Sequence, residues 1–271
     1  YGDPNKKFRL TRPEPYRSSY YFSAEFLDES FGFARYMRNF DGIVVPLDYS
    51  GKYCNIVNSY RVTSNQPSEY KSTIYIFGGS SIFGAEVPDE LTVSSYLQRI
   101  LIRNSRKYKV VNAGVSGATA FEALVRLKSI PLKGGDIVLF VDGWNDTVKI
   151  IYSRDDIQNF RQTESFQFDF PTFVRRYMKY SATLQYLDKK FMTQHTLSCC
   201  YDVTKTTTAI GAYFNEVERA RTFVNQRGAD FAHFLQPNLF SKNRLNVYEH
   251  GLASSAKGRW PEGIGEGVKI L

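Results

Sequence analysis

The chain has 271 residues with 42% hydrophobic and 15% aromatic content, which excludes a disordered polymer and favours one large core over two small ones. No apolar run approaches the roughly 18 to 20 residues that a bilayer-spanning helix needs, and a start at Tyr1 leaves a processed leader or an N-terminal anchor open. The formal charge is +8, but the basic residues are scattered (Lys6-Lys7, Arg106-Lys107, Arg175-Arg176, Lys189-Lys190); without a basic stripe interleaved with aromatics, no nucleic-acid partner is expected.

Residues 1–71 are rich in Tyr, Phe, Arg and Pro. They read as an irregular extension packed on the core, with a small β element around 43–62. From residue 72 the pattern changes to alternating strands and helices. The β-branched, apolar run Ser72-Thr73-Ile74-Tyr75-Ile76-Phe77 stops at Gly78-Gly79, as a strand buried on both faces would. Val93, Tyr96, Leu97, Ile100 and Leu101 fall at helical spacing and predict one apolar, core-facing stripe. Lys109-Val110-Val111-Asn112 reads as a second strand, ending at Ala113-Gly114. A helix through Phe121, Leu124 and Leu127 follows, with Pro131 and Gly134-Gly135 marking its end. Asp136 to Val141 is a third strand, again closed by a glycine, Gly143.

Residues from about 147 to 205 read as an insertion with a helical stretch from about Pro171 to Met192. A helix over 207–227, through Ile210, Tyr213, Phe214, Val217 and Ala220, is stopped by Gly228, and Ala229 to Leu235 is a fourth strand. Strands separated by helices imply crossovers and a parallel sheet, hence an α/β domain over 72–271. In such sheets the functional site lies beyond the carboxyl ends of the strands. The three glycine-bearing turns should therefore meet in space.

Each turn carries one chemically useful residue. In Gly78-Gly79-Ser80-Ser81, Ser80 stands at the sheet edge, where a hydroxyl can meet substrate and the small neighbours admit close approach. In Asn112-Ala113-Gly114-Val115-Ser116-Gly117, Gly117 can offer a backbone N–H with no side chain in the way. In Gly143-Trp144-Asn145-Asp146, Asn145 has an amide with two donors. Singly, each is as well explained by its own turn. Asn145 also begins an Asn-Asp-Thr sequon, which matters only on an exposed loop of a secreted chain. The first turn lacks the lysine and spacing of a phosphate-binding loop, so a nucleotide site is not supported.

Taken together and in this order, Gly-Gly-Ser-Ser, Asn-Ala-Gly-Val-Ser-Gly and Gly-Trp-Asn-Asp resemble the first three sequence blocks of the SGNH/GDSL hydrolases. The resemblance covers residues 72 to 147 well and 207 to 240 more loosely. It implies a three-layer, flavodoxin-like parallel sheet, with Ser80 as nucleophile and an oxyanion hole made by Ser80 N–H, Gly117 N–H and Asn145. The implied activity is that of an esterase or acyl transferase; the expectation that its substrate is a small-molecule or carbohydrate ester, such as an O-acetylated sugar, is separate from the resemblance. No cofactor or metal is expected. Gly79 stands where many members have aspartate, a mild departure.

The serine would need a histidine oriented by a carboxylate. The family's Asp-x-x-His block has a literal match in Asp230-Phe231-Ala232-His233, but it lies inside the fourth strand, where the histidine is expected to be packed. His250 sits in a better loop without an aspartate three residues earlier, and His195 falls in the insertion. A fifth strand and closing helix are also expected, with the Asp and His pair, beyond Leu271. The alternative is a catalytically degenerate subunit that keeps the fold for a structural or binding role, with protein partners. Three cysteines (Cys54, Cys199, Cys200) allow at most one ordinary disulfide, from Cys54, and do not fix the compartment.

Overall fold

The computed structural model describes Glu25, Phe26, Glu29 and Arg244, together with residues 37–85, 87–147 and 203–237. A hairpin of β1 (Met37–Phe40) and β2 (Ile43–Pro46) turns at Asp41-Gly42. Both residues have positive φ, +49° and +80°, the pairing that matches the strand twist in a two-residue hairpin. Short strands β3 (Tyr49–Ser50), β4 (Asn55–Val57) and β5 (Tyr60–Arg61) follow. Then come β6 (Ser72–Gly78), α1 (Ser80–Phe83), α2 (Val93–Arg103), β7 (Tyr108–Asn112), α3 (Ala120–Lys128), β8 (Ile137–Asp142), α4 (Val203–Asn225) and β9 (Asp230–Leu235).

Seven strands form one mixed sheet in the order β3-β4-β5-β7-β6-β8-β9. Its core, β7-β6-β8-β9, is parallel. Counted among themselves, these strands run 2-1-3-4, and their carboxyl ends share one edge. The sheet is not purely parallel, as the sequence pattern suggested. Strands β3 to β5 add to it antiparallel, joined through Arg61 opposite Asn112. The physical reason is the edge of β7, whose backbone groups need partners. Side chains complete what β5 leaves open: Gln98 donates to Tyr108 O and accepts from Val110 N, while Gln66 donates to Val110 O at 2.7 Å.

The period of two in the strands sorts side chains onto two faces. On one, Phe77, Val138 and Phe140 pack with Leu124 and Leu127 of α3 and Ala220 and Val224 of α4. On the other, Ile74, Ile76 and Val110 pack with Ile82 of α1 and Leu97 and Leu101 of α2. Each large side chain fully buried this way contributes about 1.5–3 kcal/mol. Residues 148–202, with the expected insertion helix, His195, Cys199 and Cys200, lie outside the described residues, as does His250.

Helix α2 corrects the hydropathy pattern. Leu97 and Leu101 do face the core, but Val93, Tyr96 and Ile100 are 48%, 50% and 52% exposed. The buried positions include Ser94, Ser95 and Gln98 instead. Their side chains bond Asn112 Nδ2, Asp89 O and the β7 backbone respectively. Hydrogen bonding, which hydropathy does not register, chose the face. Cys54 is a buried free thiol, so it makes no disulfide; burial pushes its pKa up to about 11. Among the described residues no helix is long and apolar enough to cross a membrane.

Candidate active site at the carboxyl edge of the sheet

The three turns converge. Gly78 of β6 pairs with Val141 of β8, and Ile76 with Asn112 of β7, so Ser80, Gly117 and Asn145 all follow the carboxyl ends of neighbouring strands. The contact is direct. Asn145 Nδ2 donates to Ala118 O at 2.8 Å, which ties the third turn to the second. The same nitrogen lies against Gly79, where any Cβ would run into it. With a larger residue at position 79 the Asn145 amide would have to shift from this place. One hydrogen of the amide is used on Ala118, and the other remains to donate.

Ser80 opens α1 and is exposed. Its hydroxyl has no hydrogen-bond partner among the described residues, and its backbone N–H, in the first turn, has no intrahelical acceptor. Gly117 is exposed, with φ +83° and open space where a Cβ would be. The backbone there is accessible and adopts a conformation that L side chains avoid. Asn145 is half-buried within a helical turn, 144–147, closed by Thr147 N donating to Gly143 O. With its amide engaged inside this corner, Asn145 does not present the exposed loop that a glycan would need.

Two buried residues that the sequence pattern did not single out fix this corner. Asn112 Nδ2 donates to Ile82 O at 2.7 Å and its Oδ1 accepts from Gly114 N at 3.0 Å, so it holds α1 against the second turn. Arg61, 1% exposed, bonds Asp89 at 2.6 Å and donates to Gly84 O and Val87 O. It thereby pins the loop that follows Ser80 to the edge strands. A charged residue in a short β segment was the one available signal for Arg61. Nothing local signalled Asp89.

Beneath the third turn lies a second polar cluster. Tyr213 Oη donates to Asp142 Oδ1 at 2.6 Å, and His233 Nε2 is 2.6 Å from Tyr213 Oη and 3.1 Å from Asp142 Oδ1. His233 Nε2 thus closes on the same two oxygens that the phenol proton joins. Burial, and then the Asp142 charge, push the Tyr213 phenol above its ordinary range. His233 is thus packed in its strand, as the sequence led one to expect. No hydrogen bond joins it to Asp230 or to Ser80 among the described residues. Asp146 Oδ1 accepts from Ala120 N at 3.0 Å, and burial, then Asp142, push this carboxyl up to about 7. Among the described residues no group of three or more His, Cys, Asp or Glu could hold a metal ion.

No family model and no curated protein matches the chain. Solved structures do. One is AlinE4, described as an SGNH-hydrolase family esterase: 18% identity, 71% of this chain and 96% of that one covered, TM-score 0.30. A second is the psychrotrophic esterase EstA from Pseudoalteromonas sp., with 15% identity, 70% and 98% covered, TM-score 0.34. A third is a single-residue variant of Axe2, an acetyl xylan esterase from Geobacillus stearothermophilus, with 13% identity, 74% and 72% covered, TM-score 0.31. At such TM-scores the chemistry has to be argued from this chain's own residues.

Proposed function

We propose that the protein is a serine-dependent ester hydrolase or acyl transferase of the SGNH/GDSL type, with residues 72–271 as its α/β unit. The proposal extends to the fold: the 2-1-3-4 order of the parallel strands is the beginning of the flavodoxin-like order 2-1-3-4-5. The observation that carries the reading is the meeting of an exposed serine with a half-free amide. Ser80 opens a helix beside Gly79, and Asn145 Nδ2 lies against that same glycine.

In the reaction, Ser80 Oγ attacks the ester carbonyl carbon and its proton passes to a general base. The carbonyl oxygen becomes an oxyanion held by Ser80 N–H, Gly117 N–H and Asn145 Nδ2. Collapse breaks the ester C–O bond, the alcohol leaves with the proton from the base, and the acyl group stays on Ser80. Water, or an acceptor hydroxyl, then takes the acyl group by the same steps. Donors placed where the charge develops contribute about 3 to 4 kcal/mol each. An O-acetylated carbohydrate suits the open space at Gly117. The base comes from outside the described residues, because His233 Nε2 is engaged with Tyr213 and Asp142.

That engagement also supports a second reading, a subunit that keeps the fold without turnover. One experiment separates the two: mass spectrometry of the full chain after exposure to a fluorophosphonate, with Ser80→Ala beside it. A single adduct on Ser80, lost in the variant, supports the hydrolase or transferase. Folded protein with no adduct would replace it with the non-catalytic subunit.

A further inference from the structure

Helix α1 is a single turn, Ser80–Phe83. One turn has too few internal hydrogen bonds to fix its own place, so the place of Ser80 is set by what holds the two buried residues of α1, Ile82 and Phe83. Ile82 packs with Ile74, Ile76 and Val110 of the sheet, and Asn112 donates to its carbonyl. Phe83 belongs to a separate buried cluster, with Phe26, Cys54 and Ile56.

Phe26 comes from far up the chain and is fully buried, edge-on to the Tyr53 ring at 5.5 Å. Glu25, Phe26 and Glu29 are helical, at a spacing that brings the three to one side of the helix. Glu29 makes the strongest attachment. Its Oε2 accepts from Lys52 N at 3.1 Å, and its Oε1 accepts from Tyr53 N at 2.9 Å and Cys54 N at 2.7 Å. Three successive backbone N–H groups closing on one carboxylate form an anion-binding nest. Gly51 makes room for it, since a Cβ there would run into the Glu29 carboxylate. Glu25 adds an exposed pair with Lys52 Nζ at 2.9 Å and accepts from Tyr53 Oη at 3.0 Å, contacts that water and salt weaken.

We propose that Phe26 and Glu29 are positioning residues: Glu29, seated in the nest of residues 52–54, holds Phe26 in the cluster that seats Phe83, and so fixes the helix that presents Ser80. The consequence for Ser80 reactivity rests on the function proposed above; the anchoring of α1 does not. The nest also reaches the loop after α1. Asn55, the next residue along, donates to Asp89 through its N–H at 3.1 Å and its Nδ2 at 2.8 Å. Asp89 in turn is bonded by Arg61, which donates to Gly84 O. A loosened nest therefore acts on α1 by two routes, through Phe26 to Phe83 and through Asn55, Asp89 and Arg61 to Gly84.

The test uses the full chain with Phe26→Ala, Phe26→Leu, Glu29→Ala and Glu29→Gln, the last keeping the shape of Glu29 but setting an amide nitrogen among the donors. Val224→Ala opens a cavity near the amino end of β9 and is the control for destabilisation alone. Two readings are taken well below every thermal midpoint. Backbone hydrogen exchange reports α1, whose Phe83 and Gly84 N–H groups donate to Gly79 O and Ser80 O. Fluorophosphonate labelling of Ser80 is resolved into a maximal rate and a half-saturating concentration.

Phe26→Ala is expected to speed exchange in α1 at least about tenfold relative to β8. It should lower the maximal labelling rate at least about tenfold, with half-saturation kept within about twofold. Phe26→Leu should recover most of both, and each Glu29 variant should move both in the same direction by about threefold or more. Val224→Ala should lower the midpoint and change neither reading. Exchange in α1 that is unchanged by Phe26→Ala, or raised as much by Val224→Ala, overturns the anchoring. If Phe26→Ala does not fold, the Glu29 variants decide the anchoring, and two Glu29 variants that match the wild type overturn the nest. Faster exchange with an unchanged labelling rate overturns the positioning role. If Ser80 labels in no form, that role falls with the proposed reaction, while the exchange series still decides the anchoring.

Discussion

Two polar clusters stand on the same edge of the sheet and are built on opposite plans. Around Ser80 the groups are turned outward. The serine and Gly117 are exposed, and Asn145 uses one amide hydrogen to hold its place and keeps one to donate. Around Asp142 they are turned inward, with Tyr213 and His233 closing on one carboxylate oxygen. Both contain residue types found in catalytic sites. The first is arranged to receive a charge that is not yet there; the second spends its hydrogen-bonding groups on one another. A histidine in the second cluster is part of the architecture because its ring nitrogen is occupied, whatever sequence motif it sits in.

That contrast can be broken at several points. The largest effect is expected from Ser80→Ala, which should abolish fluorophosphonate labelling in a protein that still folds; an adduct that persists elsewhere would move the nucleophile. Breaking the buried Arg61–Asp89 pair with Arg61→Met should cost about 3–5 kcal/mol of stability, read by denaturant unfolding, because Asp89 is left charged among buried groups. A loss near zero would mean that the loop after Ser80 is held by something else.

Asn145→Ala should slow labelling or ester turnover by about 10²–10³-fold at nearly unchanged stability. Gly79→Ala, which pushes the same amide aside, should act in the same direction. Tyr213→Phe removes one donor to Asp142 and should cost about 1–3 kcal/mol in unfolding experiments. It should slow labelling less than Asn145→Ala does, and the reverse ranking would merge the two clusters into one site. At the small end, Ile100→Lys on the outer face of α2 should change stability by no more than about 0.5 kcal/mol. A larger loss would show that this face is covered in the native protein.

Much of the frame was legible in the order of the residues. The run Ser72 to Phe77, the segment after Lys109 and the stretch from Asp136 are strands in the structure within a residue or two, and each ends at the glycine turn that its composition announced. Ser80, Gly117 and Asn145 could be singled out because strand ends in a parallel sheet share an edge, so residues far apart in sequence inherit a common place. Asp142 and Asp146 were visible only as letters in that pattern. The bonds on Asp142 depend on α4 arriving with Tyr213 and β9 with His233, from about 70 to 90 residues farther along, and the bond on Asp146 depends on Ala120 of α3.

The sequence by itself determined the local periods, the glycine punctuation and hence the α/β alternation, because backbone conformation answers to neighbours a few residues away. The tertiary structure alone decided which face of α2 is buried, that residues 49–61 continue the sheet, and that His233 is turned to Asp142 and Tyr213. Those outcomes turn on which distant donor meets which buried acceptor. An unpaired polar group in the core costs about 1–3 kcal/mol, enough to override a hydropathy pattern, and only the folded chain shows where each partner lies.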